Sequence, residues 1–154
     1  MNVEQVCTLG AVHIPQSLNL REAAIQMRDQ HVGTLVVTDD ATGNCLVGIL
    51  TDRDIVLRAA AAGLSPGETA AADVMTQGVM SVDADDDLTT AMEVMATHGV
   101  RRLAVTGDGG EVIGVLSLDD VISALGMEWT QLTGILESER QREYTGGAQS
   151  PLHL

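Results

Sequence analysis

The sequence predicts an α+β fold made of two copies of one β-α-β-β-α unit, and three observations predict it. First, residues 6–38 match residues 74–106 at a constant offset of 68: Thr8, Gly10, Leu20, Ala23, Met27 and Leu35 meet Thr76, Gly78, Leu88, Ala91, Met95 and Leu103. Second, the offset then drops to 66, and Gly48, Leu50 and Asp54 meet Gly114, Leu116 and Asp120. So long a register with one small slip is the mark of an internal duplication. Third, helical and strand periodicities follow one another in the same order in both halves.

Each copy opens on a short strand candidate, Val12–Ile14 and Val79–Val82. A helix follows, because Leu20, Ala23, Ala24 and Met27, like Leu88, Ala91, Met92 and Met95, recur at i, i+3, i+4, i+7 and form one apolar face. Strands are predicted at Thr34–Thr38 and Arg101–Thr106, turns at Asp39–Asn44 and Gly107–Gly110, and returning strands at Leu46–Leu50 and Val112–Leu116. The first copy closes on a helix from Asp52 to Ala62, stopped by Gly63; the second closes on Leu118–Leu125, stopped by Gly126. Leu64–Ala70, with Pro66 and Gly67, reads as a linker, and Ala71–Met75 as a helical turn. Met127–Gln141 carries apolar residues at 129, 132, 135 and 136, the pattern of an amphipathic helix that caps the core or joins a dimer interface. The expected organisation is repeat 1 over 1–70, repeat 2 over 71–126, a C-terminal helix over 127–143 and a flexible tail over 144–154. Units of roughly 65–70 residues bury little core alone, so the two halves are expected to pack together or dimerise.

The formal charge is −14, from 22 carboxylates against eight cations that are all arginine. Such a balance disfavours nucleic acid and anionic membranes as partners, and it makes any local arginine cluster informative. No apolar run reaches the ~20 residues of a membrane span, and the N-terminus lacks a signal-peptide layout, which implies a soluble, cytoplasmic protein. Cys7 and Cys45 form no CxxC pair and read as small buried hydrophobes, with a disulfide or metal pair as the other reading.

The stretch that carries chemistry is Gly48–Val56, with its echo at Gly114–Ile122. In each a strand ends on a hydroxyl residue, Thr51 or Ser117, followed three positions later by Asp54 or Asp120. This is a helix N-cap with a reaching carboxylate. The same geometry suits a nucleotide: free N–H groups and the dipole favour phosphate, the hydroxyl donates to it, and an ionised Asp accepts from ribose hydroxyls. Arg101-Arg102 opens a strand, where alternation would turn at most one side chain to a given cleft; an arginine there binds phosphate bidentately or is simply solvated. Arg53 lies inside the first motif, where the second has Asp119, and serves either a phosphate or Asp52 and Asp54. Asp83–Asp87 lacks the Gly and terminal Glu of a calcium loop and is read as a helix start. Gly107–Gly110 is a hairpin turn, not a phosphate loop. No catalytic triad, Cys/His pair or HExxH spacing appears, so no enzyme activity is expected.

Over residues 3–126 the chain resembles a tandem pair of cystathionine β-synthase (CBS) domains, a Bateman module of the stand-alone bacterial type. The resemblance rests on the duplicated unit, on Gly-h-h-Thr/Ser-x-x-Asp (h, apolar) closing each sheet, and on Val100-Arg101-Arg102-Leu103. Val36 and Ala104 stand where members often have Pro. The resemblance implies two repeats about a pseudo-twofold axis with two clefts for an adenosine-containing ligand: AMP, ADP, ATP, S-adenosylmethionine, NAD or a cyclic dinucleotide. It implies no required cofactor, a homodimer, and control of an enzyme or transporter. It also places Thr8, Val12, His13, Thr76, Val79 and Met80 around the base and Arg102 on phosphate. The cations sit unequally, so one good site and one weaker or empty site are expected, the Ser117–Asp120 cleft being favoured. Two other readings stand beside this: an interaction module whose clefts stay empty, and a metal- or redox-responsive module using Cys7, Cys45 and histidines.

Overall fold

A computed structural model describes residues 1–42 and 45–145. Gly43 and Asn44 of the first predicted turn, and the predicted tail from residue 146 on, lie outside the described residues. The elements run β1 (Thr8–Leu9), β2 (His13–Pro15), α1 (Leu20–Gln30), β3 (Thr34–Thr38), β4 (Leu46–Thr51) and α2 (Asp52–Asp54), which continues as a π-helical segment, Ile55–Ala60. The second half runs α3 (Ala71–Val74), β5 (Ser81–Asp83), α4 (Leu88–His98), β6 (Arg102–Thr106), β7 (Val112–Ser117) and α5 (Leu118–Thr145).

Each repeat holds a parallel pair and an antiparallel hairpin: β2 beside β3 beside β4, and β5 beside β6 beside β7. The long helices α1 and α4 start where short polar side chains satisfy the first free N–H groups. Asn19 accepts from Glu22 N at 2.9 Å, and its counterpart Asp87 accepts from Thr90 N at 3.0 Å. The bonds from Thr90 and Thr89 hold the Asp87 carboxyl below the usual carboxylate range, so the end of the acidic run is a helix cap. Leu20, Ala23 and Met27 of α1 are buried, as are Leu88, Ala91 and Met95 of α4, as the periodicity predicts.

Three features depart from the expected layout. The opening strand candidates begin one to two residues later than predicted, leaving Val12, Val79 and Met80 outside the strands. The helix after β4 widens into π-helix, with Ala61 N donating to Val56 O at 2.9 Å across five residues. It leaves Val56 and Leu57 exposed and ends before Gly63, at φ +72°. Gly126 does not stop the last helix: α5 runs 28 residues through it. A helix-interior glycine costs about 1 kcal/mol relative to alanine, a penalty the rest of so long a helix outweighs.

The repeats also exchange segments. β1 leaves the first repeat and pairs antiparallel with β7, Thr8 opposite Val115 and Leu9 opposite Gly114. Val3 is fully buried in the core of the second repeat, among Val82, Leu103 and Leu116. In return Ala71, Val74 and Met75 join the first core, and Thr76 exchanges two backbone bonds with Ile49, at 3.0 and 2.8 Å. Gly48 and Gly114 make both crossings possible. A Cβ on Gly48 would lie 2.8 Å from Thr76 O, and one on Gly114 2.6 Å from Thr8 O. This close approach is why each motif begins with glycine.

Candidate functional site

The exchanged segments form the walls of two clefts. The first, of about 220 Å³, lies between Thr51 at the end of β4, the segment Thr76–Met80, and Val100–Arg102. The second, of about 600 Å³, lies between Ser117 at the end of β7, the segment Thr8–Val12, and Val32–Thr34. All ten residues lining the first cleft have repeat counterparts lining the second, which makes the two clefts pseudo-equivalent.

Their charges are not equivalent. The first cleft has Arg101 and Arg102 and no carboxylate. The second has Gly33 and Thr34 at the matching positions, with Asp52, Asp119 and Asp120 set against Arg102. Along the sheet Arg102 does pair with Ser117, as sequence proximity suggests. Yet both arginines wall the Thr51 cleft, and only Arg102 also reaches the Ser117 cleft. Strand alternation does not keep Arg101 out, because β6 begins one residue after it.

The two caps are built alike. Thr51 Oγ1 accepts from Asp54 N at 3.1 Å, and the Asp54 carboxylate accepts from Thr51 N at 3.0 Å. Ser117 Oγ accepts from Asp120 N at 3.1 Å and donates to the Asp120 carboxylate at 2.7 Å. Asp120 nevertheless lines its cleft, whereas Asp54 lines neither. A neighbour explains part of the difference. Arg58 lies 3.8 Å from Asp54 and donates to the carbonyls of Val74 and Met75 at 3.1 and 3.2 Å, so one guanidinium ties the Thr51 cap to the wall that enters Thr76. Its repeat counterpart is Ala124.

Of the other expected residues, Thr76, Val79 and Met80 line the first cleft, and Thr8 and Val12 the second. His13, exposed on β2, lines neither. Arg53 lines a third cavity, of about 420 Å³, with Arg101, Arg102, Ser117, Leu118 and Asp119. Sequence reasoning passed over Ile49 and Val100 as wall residues, although the repeat register matches them to Val115 and Val32 of the other cleft. It also missed Asp52, which opens the helix of one repeat and lines the Ser117 cleft.

Both cysteines are free thiols, but neither is the fully buried hydrophobe expected: Cys7 is half-buried against the second core and Cys45 is exposed. Burial, reinforced by the charges of Glu4 and Asp120, pushes the Cys7 thiol up. Among the described residues no group of three His, Cys, Asp or Glu is placed to hold a metal ion, and no helix is long and apolar enough to cross a membrane.

Known proteins match this architecture. A model of the CBS domain family matches residues 3–60 and 71–126. The chain is 39% identical over 103 residues to the uncharacterized protein YlbB of Bacillus subtilis, covering 67% of this chain and 68% of that one. It is 31% identical over 116 residues to hypoxic response protein 1 of Mycobacterium tuberculosis, covering 75% and 79%. It is 33% identical over 101 residues to the uncharacterized protein MK0525 of Methanopyrus kandleri, of which it spans half the length. Among solved structures, the CBS domain protein PAE2072 of Pyrobaculum aerophilum, complexed with AMP, superposes with a TM-score of 0.68 at 28% identity, covering 78% of this chain and 89% of that one. Hypoxic response protein I with two coordinated zinc ions superposes with a TM-score of 0.66 at 29% identity, covering 80% and 98%. With both repeats matched by the family and the pseudo-twofold clefts between them, the chain belongs to the CBS domain family and is a tandem pair of CBS domains.

Proposed function

We propose that the chain is a ligand-sensing regulatory module that binds an adenosine nucleotide in the Thr51 cleft. The observation that carries this reading is the convergence of a cap hydroxyl (Thr51), an apolar slot (Ile49, Val79, Met80) and two arginines in a cleft whose own walls hold no carboxylate. The slot suits a base, and the guanidinium groups suit phosphate. The AMP complex of the Pyrobaculum relative supports the same ligand class. The Ser117 cleft is wider, but its three carboxylates repel phosphate, so it is the weaker nucleotide site or takes an uncharged adenosyl ligand. The ligand acts by bridging the two repeats across a cleft and favouring one packing of the pair, which a regulated enzyme or transporter reads.

Thermal shift and calorimetric titration with AMP, ADP, ATP, S-adenosylmethionine and NAD test this. A nucleotide at ~100 times its dissociation constant stabilises the fold by about 2.7 kcal/mol. Met80→Trp, which fills the Thr51 cleft, abolishes that shift, while Val12→Trp at the matching place in the other cleft preserves it. Silence from every ligand would leave an interaction module with empty clefts as the better reading.

The last helix supports a homodimer. Ile122, Leu125, Trp129, Leu132 and Leu136 repeat at alternating spacings of three and four, the seam of a coiled coil. Trp129 is 68% exposed and Leu132 54%. Ile122 and Leu136 of the same seam are each 57% exposed, so the stripe is left without a cover within one chain. Leu132→Glu is expected to convert a dimer to a monomer in sedimentation equilibrium while leaving the far-UV spectrum of the two repeats intact. A wild-type monomer at micromolar concentration would rule the dimer out.

A further inference from the structure

Three arginines from two separate parts of the chain meet in one cavity. Arg53 comes from α2, and Arg101 and Arg102 stand at the entrance to β6; together they line the cavity that also touches Ser117, Leu118 and Asp119. Carboxylates outnumber arginines 22 to eight in this chain, so an arginine left without an ion pair runs against the composition. Among the described residues neither Arg53 nor Arg102 has one. Arg101 has only Asp119, at 3.7 Å, with both side chains more than two-thirds exposed, a contact that solvent weakens. Three guanidinium groups against one carboxylate make a site for an anion of high charge.

The cavity shares Arg101 and Arg102 with the Thr51 cleft, and Arg102, Ser117 and Asp119 with the Ser117 cleft, whose further carboxylates Asp52 and Asp120 turn an anion toward the Thr51 side. The Thr51 cleft alone, at about 220 Å³, falls short of the ~300–1,000 Å³ of ordinary ligand pockets. The adjoining cavity of about 420 Å³ adds room where the cations are.

We propose that this three-arginine groove is the polyphosphate end of the Thr51 cleft, so that the ligand there is a nucleoside di- or triphosphate in preference to a monophosphate. The inference rests on the nucleotide reading above and deepens it. Arg101 and Arg102, shared by both cavities, meet the first phosphate; Arg53, which lines only the groove, meets the outer ones and sets the selectivity. The groove adjoins both clefts, but only into the Thr51 cleft do both of its β6-entrance arginines continue. The repeat counterparts of Arg53, Arg101 and Arg102 are Asp119, Gly33 and Thr34, which give the Ser117 cleft no matching groove.

The test is calorimetric titration at fixed ionic strength, in EDTA, with AMP, ADP, ATP and inorganic tripolyphosphate, on the wild-type chain, Arg53→Ala and Arg53→Lys. ATP is expected to bind the wild type about tenfold or more tightly than AMP, the worth of one or two charge-assisted bonds. Arg53→Ala brings ATP to near the AMP affinity and leaves AMP unchanged, which also shows that the variant is folded; Arg53→Lys keeps part of the difference. Equal affinities for AMP and ATP in the wild type, or equal losses of both in Arg53→Ala, would overturn the groove and leave the nucleotide reading intact. Binding of tripolyphosphate that needs Arg53, with no nucleotide bound, would uphold the groove as a polyphosphate site and overturn the nucleotide reading. Absence of both would overturn both.

Discussion

Gly48→Ala is expected to destabilise the chain by about 1–3 kcal/mol, the usual cost of forcing an extra carbon into a packed contact. A Cβ at this position would lie 2.6 Å from Met75 Sδ and 2.8 Å from Thr76 O. The sulfur can swing away, but the carbonyl cannot. It belongs to the pair of backbone bonds that fasten Thr76 to Ile49, and relief requires that pair to open. Two readouts should therefore move together. The denaturation midpoint falls, by about 2–4 °C per kcal/mol for a chain of this size. Amide exchange rises at Ile49 and Thr76 before it rises elsewhere, because the strain is released at the crossing. Gly114→Ala repeats the experiment at the other crossing, where the Cβ would meet Thr8 O at 2.6 Å and the exchange should rise across β1. A loss below ~0.5 kcal/mol in both variants, the range of ordinary surface substitutions, would show that the crossing segments are not held against these strands.

The largest effect on ligand binding is expected at Arg102, the one residue that lines both clefts and the groove between them. Hydrogen bonds to charged groups contribute about 1.5–3 kcal/mol, so Arg102→Ala should weaken nucleotide binding by roughly 10–100-fold. Arg101→Ala should cost less, because that side chain already leans on Asp119 and does not reach the second cleft. Arg102→Lys keeps the charge and loses the fork, so it should recover part of the affinity and steepen its dependence on salt. Titration of the three variants at two ionic strengths separates these outcomes. Unchanged affinity in Arg102→Ala would mean that the phosphate lies elsewhere and that the two-arginine wall is only a solvated surface.

Much of this protein is legible in its residues because it says most things twice. Leu20, Ala23 and Met27 and their partners Leu88, Ala91 and Met95 fix one buried face per helix, and two copies of the same spacing leave little room for another reading. The capping boxes at Thr51–Asp54 and Ser117–Asp120 are equally plain, since each is local: four consecutive residues contain all the partners. What sequence could not give is which copy's residues face which. Thr51 shares a cleft with Arg101 and Arg102, about fifty positions away, because the segments around Thr8 and Thr76 cross between the repeats. Such a crossing leaves only one local mark, a glycine where a strand could carry a side chain, and glycine has many other causes. Gly126 misled for the same reason. A glycine after a helical stretch is a stop only where the backbone turns left-handed, as at Gly63, and α5 does not turn.

The exchange of segments has a consequence for how the chain is made. Val3 donates to Asp86 O and Leu88 to Met1 O, so the segment ahead of β1 is held by residues synthesised some eighty positions later. Meanwhile the first core lacks Ala71, Val74 and Met75 until they have left the ribosome. Neither half can finish before the other has begun. Such long-range closures slow folding and expose apolar surface while the chain waits. The two repeats are therefore expected to fold as one unit rather than one after the other. A duplicated gene segment has become a structure that cannot be divided at the duplication point.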